Sequence, residues 1–267
     1  IKTLVKQNID WQYLVQTAMR HGVMPLLYWS LKSTCPESVP DNALDFLHKV
    51  AQKNTCNNLI LTQELVNVLH LFETHQIPAL AYKGPLLATS VYDNLSLRYI
   101  SDLDILVSKE NFQKAADLLL AQGYKYSEEA NVRWESHFIK DDGIHNIDLH
   151  SEIIPQHLAC SINENYWWEN TQPFSFAGLT VPNLLPEAMF FLICLNGNKE
   201  CWKHLNRICD VAEIIRAYPQ MNWQEIFQKA DTLGCKRLIS LALFLAKDLL
   251  QAPVPEAVLE QIQMYPK

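Results

Sequence analysis

The sequence predicts an α+β fold, in which a small mixed β-sheet core is flanked by N-terminal helices and a C-terminal helical bundle. Apolar residues recur at helical spacing over residues 1–75, and helical spacing returns over residues 186–267. Between them, residues 76–185 carry short apolar runs bounded by Gly, Pro and Asp, which is typical of strands. We therefore expect an N-terminal helical region, a sheet-containing core and a C-terminal helical region with these bounds.

The composition is that of a folded chain with a substantial core. Of the 267 residues, 49% are hydrophobic and 19% are charged, which argues against disorder. Asp and Glu outnumber Lys and Arg by 29 to 22, so the net charge is −7, and basic residues form no run. Binding to extended nucleic acid is therefore not expected, whereas a local basic pocket for one nucleotide is compatible with this composition.

The cysteines predict a reducing compartment. The chain has seven, an odd number without a CxxC pair, and several lie at apolar helical positions. The apolar runs at residues 188–195 and 238–246 are too short to cross a bilayer, and no signal peptide is visible. We therefore expect a cytoplasmic protein without a membrane partner.

The first 75 residues have the pattern of a packing layer of helices. Trp11, Leu14 and Ala18 recur at helical spacing, and prolines interrupt the pattern near residues 36–40. Asp41 suits the N-cap of a further helix that continues to about Thr74. Nothing in this region indicates chemistry.

A strand, a glycine turn and a helix start are predicted next. Ile77 to Tyr82 form a short apolar run, and Lys83-Gly84-Pro85 precedes an apolar helical segment. A helix N-terminus offers free backbone N–H groups and a positive dipole end, so this turn suits an anion, and Lys83 adds a full charge. The alternative is an ordinary strand-to-helix turn with a surface lysine.

The most informative stretch is a strand predicted for Tyr99 to Val107. Successive side chains on a strand point to opposite faces, so Asp102 and Asp104 share one face, while Leu103, Ile105 and Val107 share the other. Two carboxylates in such surroundings repel each other and resist desolvation unless a cation lies between them. Because oxygen ligands suit Mg²⁺, the stretch predicts a divalent-metal site on a buried strand.

A later hairpin supplies a third carboxylate. Asp141-Asp142-Gly143 is a turn signal, and residues 145–153 alternate in polarity after it. Asp148, His150 and Glu152 share one face of that strand. Asp148 lies between two apolar residues, as Asp104 does, so we expect it beside the first two aspartates. We interpret Glu152 as part of the polar outer face of an edge hairpin.

The C-terminal region is predicted to be a set of packed helices. In the segment 202–218, Trp202 falls on an apolar stripe with Leu205 and Cys209, which favours a core position over a ligand platform. Asp210 lies within the same apolar helix, and a buried aspartate needs a partner, which Arg207 or a neighbouring helix could supply.

Together these motifs resemble the polymerase-β-like nucleotidyltransferase superfamily. The shared parts are a Lys-Gly turn before a helix, an Arg, an Asp-x-Asp strand and a third acidic strand. Within that superfamily the chain is similar to a family of uncharacterised nucleotidyltransferases with a K-G-x-x-L…L-R-x-x-S/T-D-x-D-x-L-V pattern, found here at residues 83–107. The family's later I-D-L-H is found at residues 147–150.

The resemblance implies a nucleotidyltransferase core and Mg²⁺-dependent transfer of a nucleoside monophosphate from a triphosphate, most simply ATP, to an acceptor hydroxyl. It implies that the residues holding two Mg²⁺ ions and performing catalysis are Asp102, Asp104 and Asp148. The implied nucleotide-binding residues are Lys83, Gly84, Arg98 and Ser101. Residues implied to support the metal ligands or to contact the acceptor are His150, Lys199 and Asp210.

The sequence departs from the pattern in two places. Pro85 stands where the wider superfamily has Ser, so its position offers neither a hydroxyl nor an N–H, and Lys83 and Arg98 would carry more of the triphosphate charge. In the C-terminal pattern H-G-x-K-H-x-W-x-R-L, the residues that replace His, His and Arg are Asn196, Glu200 and His204.

These departures keep open a non-catalytic nucleotide-binding or regulatory module that retains the fold. A metal-dependent phosphohydrolase is a third interpretation, but the His-rich ligand clusters typical of such enzymes are missing from the sequence. The sequence leaves open a small molecule, a peptide or a protein side chain as the acceptor, and the acidic net charge makes a tRNA end the least favoured.

Overall fold

The computed structural model describes residues 1–127, 134–153, 162–163 and 165–263. Within these ranges it contains eleven α-helices: α1 (Trp11–Arg20), α2 (Met24–Thr34), α3 (Asp41–Thr74), α4 (Gly84–Tyr92), α5 (Lys109–Ala121), α6 (Asn165–Glu169), α7 (Pro186–Lys199), α8 (Leu205–Ala217), α9 (Trp223–Thr232), α10 (Lys236–Leu250) and α11 (Glu256–Gln263). The same ranges contain seven strands: β1 (Ala79–Ala81), β2 (Leu103–Val107), β3 (Lys125–Tyr126), β4 (Glu135–Ile139), β5 (Asn146–His150), β6 (Thr171–Phe176) and β7 (Leu179–Leu184). The predicted α+β class is confirmed.

Five strands form one mixed sheet in the order β1-β2-β5-β4-β3, and β6 pairs with β7 in a separate two-stranded sheet. In the larger sheet β2 runs parallel to β5, while the pairs β1–β2, β4–β5 and β3–β4 are antiparallel. All five residues of β2 are buried, as expected for a central strand covered on both faces. The predicted small mixed sheet is therefore present.

The chain divides into two compact units. The first contains residues 1–151 and 175–179, and the second contains residues 152–174 and 180–267. The first unit holds the N-terminal helices and the five-stranded sheet, and the second holds α6 to α11. The region boundaries expected near residues 75 and 185 stay predictions.

The long helix α3 is the main support of the first unit. Leu61, Leu65, Val68 and Phe72 recur at helical spacing and are all buried, so this stripe faces the core. The sequence predicts Asp41 as the N-cap, the residue just before the helix, but it is the first residue of α3 and Pro40 is the N-cap. The helix ends at Thr74, as predicted.

The core of the second unit contains α7, whose residues from Ala188 to Leu195 are all buried. The prediction that Trp202 lies on the core stripe of a helix is wrong. Trp202 lies between α7 and α8 with a φ of +53°, and it is partly exposed. Its ring covers Gly197, where an added Cβ would come within 2.3 Å of a ring atom. The chain thus leaves α7 through an irregular turn that helical periodicity does not reveal.

The cysteines of the described residues are free thiols, most of them buried. Six cysteines are free, and four of these are buried: Cys35, Cys194, Cys209 and Cys235. The seventh, Cys160, lies outside the described residues. Among the described helices, none is both long enough and apolar enough to cross a membrane.

Candidate active site

Two of the predicted aspartates are direct neighbours on adjacent strands of the sheet. The parallel register of β2 and β5 places Asp104 directly opposite Asp148. Directly opposed positions in a sheet bring side chains of one face together, so two carboxylates meet on a buried surface. The predicted juxtaposition of the second and third aspartates is therefore present.

Asp102 lies one residue before β2, so the strand is shorter than the predicted Tyr99–Val107. The loop immediately before the predicted strand is held by α3, where two buried asparagines donate hydrogen bonds to its backbone carbonyls. Asn58 Nδ2 donates to the carbonyls of Leu95 (2.6 Å) and Arg98 (2.8 Å), and Asn54 Nδ2 donates to those of Ser96 and Arg98 (both 3.2 Å). Residues 95–98 are thus held as a loop against the helix, and within the segment that follows the Ser101 carbonyl accepts from the side chain of Asn146 at 3.2 Å.

The predicted strand–glycine–helix turn is present and brings a cation to the site. Lys83 precedes α4, and its Nζ lies 2.9 Å from Oδ1 of Asp104, with side chains only 10% and 6% exposed. Gly84 has a φ of +57°, and a Cβ there would lie 3.3 Å from the backbone oxygen of Asp102. Because Lys83 is buried against Asp104, it is not an ordinary surface lysine.

The aspartates have different electrostatic surroundings. Burial opposes ionisation of Asp104, but Lys83 and His150 outweigh it and hold its pKa well below the ordinary value. At Asp102 burial and the negative charge of Asp104 raise the pKa, while Lys83, the Ser101 hydroxyl and Arg98 oppose the rise. The Ser101 hydroxyl donates to Oδ2 of Asp102 at 3.0 Å. Three of the implied nucleotide-binding residues, Lys83, Arg98 and Ser101, thus lower the pKa of Asp102, and Lys83 also lowers the pKa of Asp104.

Asp148 is the carboxylate whose charge is most clearly disfavoured. Burial, Asp104 and Asp102 raise its pKa to about 6, although a hydrogen bond to His137 opposes the rise. His137 lies opposite Asp148 in the antiparallel β4–β5 register, and its Nδ1 is 2.6 Å from Oδ1 of Asp148. On the other side of the imidazole, Nε2 of His137 is 3.7 Å from Oε1 of Glu135.

His150 lies at the buried end of the same cluster. Only 4% of the residue is exposed, and its Nε2 has no hydrogen-bond partner among the described residues. That atom is 3.6 Å from Oδ1 of Asp104, which is beyond hydrogen-bond distance. The ring also packs edge-on against Tyr82, with centroids 5.5 Å apart.

The cluster fits a divalent cation on three grounds. Ligand atoms of Asp104, Asp148 and His150 lie within 4.8 Å of one another, as do those of Glu135, His137 and Asp148. The raised pKa values of Asp102 and Asp148 show that negative charge is crowded, which a cation would relieve. Nε2 of His150 is buried without a hydrogen-bond partner among the described residues, so in the neutral imidazole its lone pair would be available to a cation.

The remaining predicted residues lie in the second unit. Lys199 is exposed at the end of α7, and Asp210 in α8 is only 1% exposed. Arg207, one candidate partner of Asp210, forms a bidentate ion pair with Glu200 at 2.8 and 2.7 Å. The roles implied for Lys199 and Asp210 stay predictions.

Sequence reasoning missed several residues that shape the site. His137 shares one face of β4 with Glu135 and lies opposite Asp148, and the polar residues at every second position there are a signal that the sequence does contain. Asn54 and Asn58 carried no local signal, because their importance depends on a loop about 40 positions away. The sequence indicates Tyr82 only as the end of an apolar run, whereas in the structure its ring packs against His150.

Three solved structures resemble the chain at a distance. They are the lincosamide antibiotic adenylyltransferase LnuA with lincomycin bound (18% identity, 54% of this chain and 94% of that chain, TM-score 0.39), the antibiotic-resistance factor ANT(2'')-Ia (13%, 77% and 98%, 0.38) and an antigenic nucleotidyltransferase-like protein from Paracoccidioides brasiliensis (12%, 76% and 96%, 0.42). At these scores none of them supports an argument about the substrate of this chain.

Sequence relationship is more informative than these distant structural likenesses. No curated protein matches the chain significantly. The model of the family described as uncharacterised nucleotidyltransferase, in contrast, matches residues 7–251, which is most of the 267-residue sequence. The chain therefore belongs to this nucleotidyltransferase family.

Proposed function

We propose that the protein transfers a nucleoside monophosphate from a triphosphate, with ATP as the expected donor, to a hydroxyl group of an acceptor. Two divalent cations, expected to be Mg²⁺, would be held by Asp102, Asp104 and Asp148. The observation that supports this most strongly is the register that sets Asp104 opposite Asp148 on parallel strands, with Lys83 at the same carboxylate.

The proposed roles follow from charge and position. When bound, the divalent ions neutralise the triphosphate and the charge that develops during the displacement. Lys83, which is buried beside Asp104, and Arg98, whose charge lowers the pKa of Asp102, add positive charge on the nucleotide side. Gly84 starts α4 without a Cβ, so backbone N–H groups of that helix end can approach a phosphate closely.

Asp148 is the proposed base. It accepts the proton of the acceptor hydroxyl, whose oxygen then forms a bond to the α-phosphorus. The bond from that phosphorus to the bridging oxygen of the pyrophosphate breaks, and its electron pair leaves with pyrophosphate. The hydrogen bond between His137 Nδ1 and Oδ1 of Asp148, 2.6 Å long, holds this carboxylate in a fixed direction, which suits a group that has to meet the acceptor hydroxyl.

Binding and transfer can be tested separately. Calorimetric titration with a non-hydrolysable ATP analogue should show binding that depends on Mg²⁺, and α-labelled ATP should label an acceptor in fractions of small molecules, peptides or proteins. Asp104→Asn and Asp148→Asn should abolish labelling. Asp142→Asn, which changes an exposed carboxylate in the β4–β5 turn, is the matched control and should label like wild type. If the aspartate variants label normally, the proposal fails.

A nucleotide-binding module without catalysis predicts a different pattern. Such a module would bind the ATP analogue yet label no acceptor fraction at any metal concentration. If the wild-type protein neither binds the ATP analogue nor labels any acceptor fraction, both nucleotidyl transfer and nucleotide binding are contradicted.

A further inference from the structure

We infer that His150 is a direct ligand of a metal ion at the Asp104–Asp148 pair, which gives one of the two expected metal positions a mixed oxygen and nitrogen donor set that prefers Mn²⁺ to Mg²⁺. This inference rests on the proposed function, because it concerns a metal at the same aspartates. It assigns to His150 a bond to the ion in place of a role in orienting Asp148 or contacting the acceptor.

The first support is the state of the His150 imidazole. The residue is 4% exposed, and its Nε2 has no hydrogen-bond partner among the described residues. Buried nitrogen atoms nearly always have a partner, so each exception calls for an explanation. The atom points toward the carboxylate pair, since it is 3.6 Å from Oδ1 of Asp104. An imidazole nitrogen in this position is an available metal donor.

The second support is the arrangement of the three side chains. The β2–β5 register sets Asp104 opposite Asp148 and Leu106 opposite His150, so His150 lies two positions beyond Asp148 on the same strand and face. Their ligand atoms lie within 4.8 Å of one another. Two ligands that each lie about 2.2 Å from one ion are at most about 4.4 Å apart, so only a small adjustment is needed.

The chemistry of this donor set favours a transition metal. Mg²⁺ binds almost entirely to oxygen and keeps several waters, whereas Mn²⁺ accepts carboxylate oxygens and tolerates imidazole nitrogen. Nζ of Lys83 is 2.9 Å from the same Asp104 oxygen. The ion therefore has to displace the Lys83 ammonium or bind the other carboxylate oxygen, and in the first case Lys83 becomes available to the nucleotide.

A purely supporting role for His150 would have different consequences. If the imidazole only packed against Tyr82 or steadied a carboxylate, removing it would weaken Mg²⁺ and Mn²⁺ binding to a similar degree. A bond to the ion instead predicts a selective loss of Mn²⁺ affinity, and it predicts magnetic coupling between bound Mn²⁺ and a histidine nitrogen.

The test uses the metal-free full chain and Mn²⁺ or Mg²⁺ alone as probes. Electron spin-echo spectroscopy of bound Mn²⁺ should show nitrogen modulation in the wild type, and labelling histidine with ¹⁵N should change it. In His150→Gln the modulation should disappear. Mn²⁺ affinity should fall roughly tenfold or more while Mg²⁺ affinity changes little, as measured by calorimetry. His137→Gln is the matched control, because it removes the other imidazole beside Asp148 and should keep the modulation.

The outcomes separate this inference from the proposed function. Bound Mn²⁺ without nitrogen modulation in the wild type, combined with loss of binding in Asp104→Asn, overturns the role of His150 and leaves the aspartate site standing. Modulation that survives His150→Gln overturns it as well. No binding of either ion, with or without an ATP analogue, contradicts both. If His150→Gln does not fold, His137→Gln decides: modulation that persists there and responds to ¹⁵N-histidine supports His150, whereas modulation that is lost assigns the bond to His137 and overturns the inference.

Discussion

Replacing Asp148 with asparagine should stabilise the metal-free protein while abolishing its activity. Asn has the shape of Asp without the charge, so the variant removes the repulsion from Asp104 and Asp102 and the cost of burying an ion. The opposing hydrogen bond to His137 is already included in the net effect, because the pKa of Asp148 is raised to about 6 despite it.

The size of the effect follows from linkage. A rise from 3.8 to about 6 makes the ionised form less favourable in the folded state by about 3 kcal/mol, at about 1.4 kcal/mol per pKa unit. A carboxyl with a raised folded-state pKa destabilises the fold only where it is ionised, so the penalty is absent below pH 4 and complete above about pH 7. The gain in free energy of unfolding on Asp148→Asn should therefore be near zero at pH 4 and about 2–3 kcal/mol at pH 8.

Urea unfolding followed by circular dichroism, in EDTA and at several pH values, measures this difference. Asp142→Asn is a control with the opposite sign, since the backbone N–H groups of Ile144 and His145 lower the pKa of Asp142 to about 2. The folded protein stabilises the ionised form of Asp142, so the Asp142→Asn variant should have a lower free energy of unfolding than the wild type at pH 8. Saturating Mg²⁺ should raise the stability of the wild type and have less effect on Asp148→Asn.

An Asp148→Asn variant that is less stable than wild type at pH 8 in EDTA would refute this reasoning. It would mean that the bond between His137 and Asp148 outweighs the repulsion among the three aspartates. A pH-independent difference would equally show that the effect does not come from ionisation of Asp148.

Three further results are expected. Lys83→Met leaves the buried Asp104 without its cation and should lower the free energy of unfolding by roughly 3–5 kcal/mol in EDTA, with partial recovery in Mg²⁺, as urea unfolding can show. Asn58→Ala removes two hydrogen bonds that hold the loop before β2; we expect a loss of roughly 1–3 kcal/mol and faster amide exchange in that loop. Gly197→Ala brings a methyl group into the Trp202 ring and should cost roughly 1–3 kcal/mol, visible as a lower thermal midpoint.

Much of the site could be predicted because the sequence patterns that mark it span only a few neighbouring positions. Asp104 and Asp148 each lie between apolar residues on a strand, and the Lys-Gly turn carries both its glycine and its cation within a few positions. Alternation and turn chemistry act over short distances, so one sequence is enough to recognise them.

The parts that could not be predicted depend on contacts between distant segments. The strand predicted for 99–107 starts only at Leu103, and the segment before it is bound by side chains from distant positions: Asn54 and Asn58 donate to the Arg98 carbonyl, and Asn146 donates to the Ser101 carbonyl. The position of Trp202 depends on the missing side chain of Gly197, and periodicity cannot report such a fit. The pairing of His137 with Asp148 depends on register, which a one-residue slip would have changed.

A crystal structure with a non-hydrolysable ATP analogue and a divalent cation tests the central claim most directly. We predict a cation bound by Asp104 and Asp148, with the triphosphate against Lys83 and the start of α4. A triphosphate bound elsewhere, or an Asp104–Asp148 pair that stays without a cation at saturating metal, would contradict the claim that this strand pair is the catalytic centre.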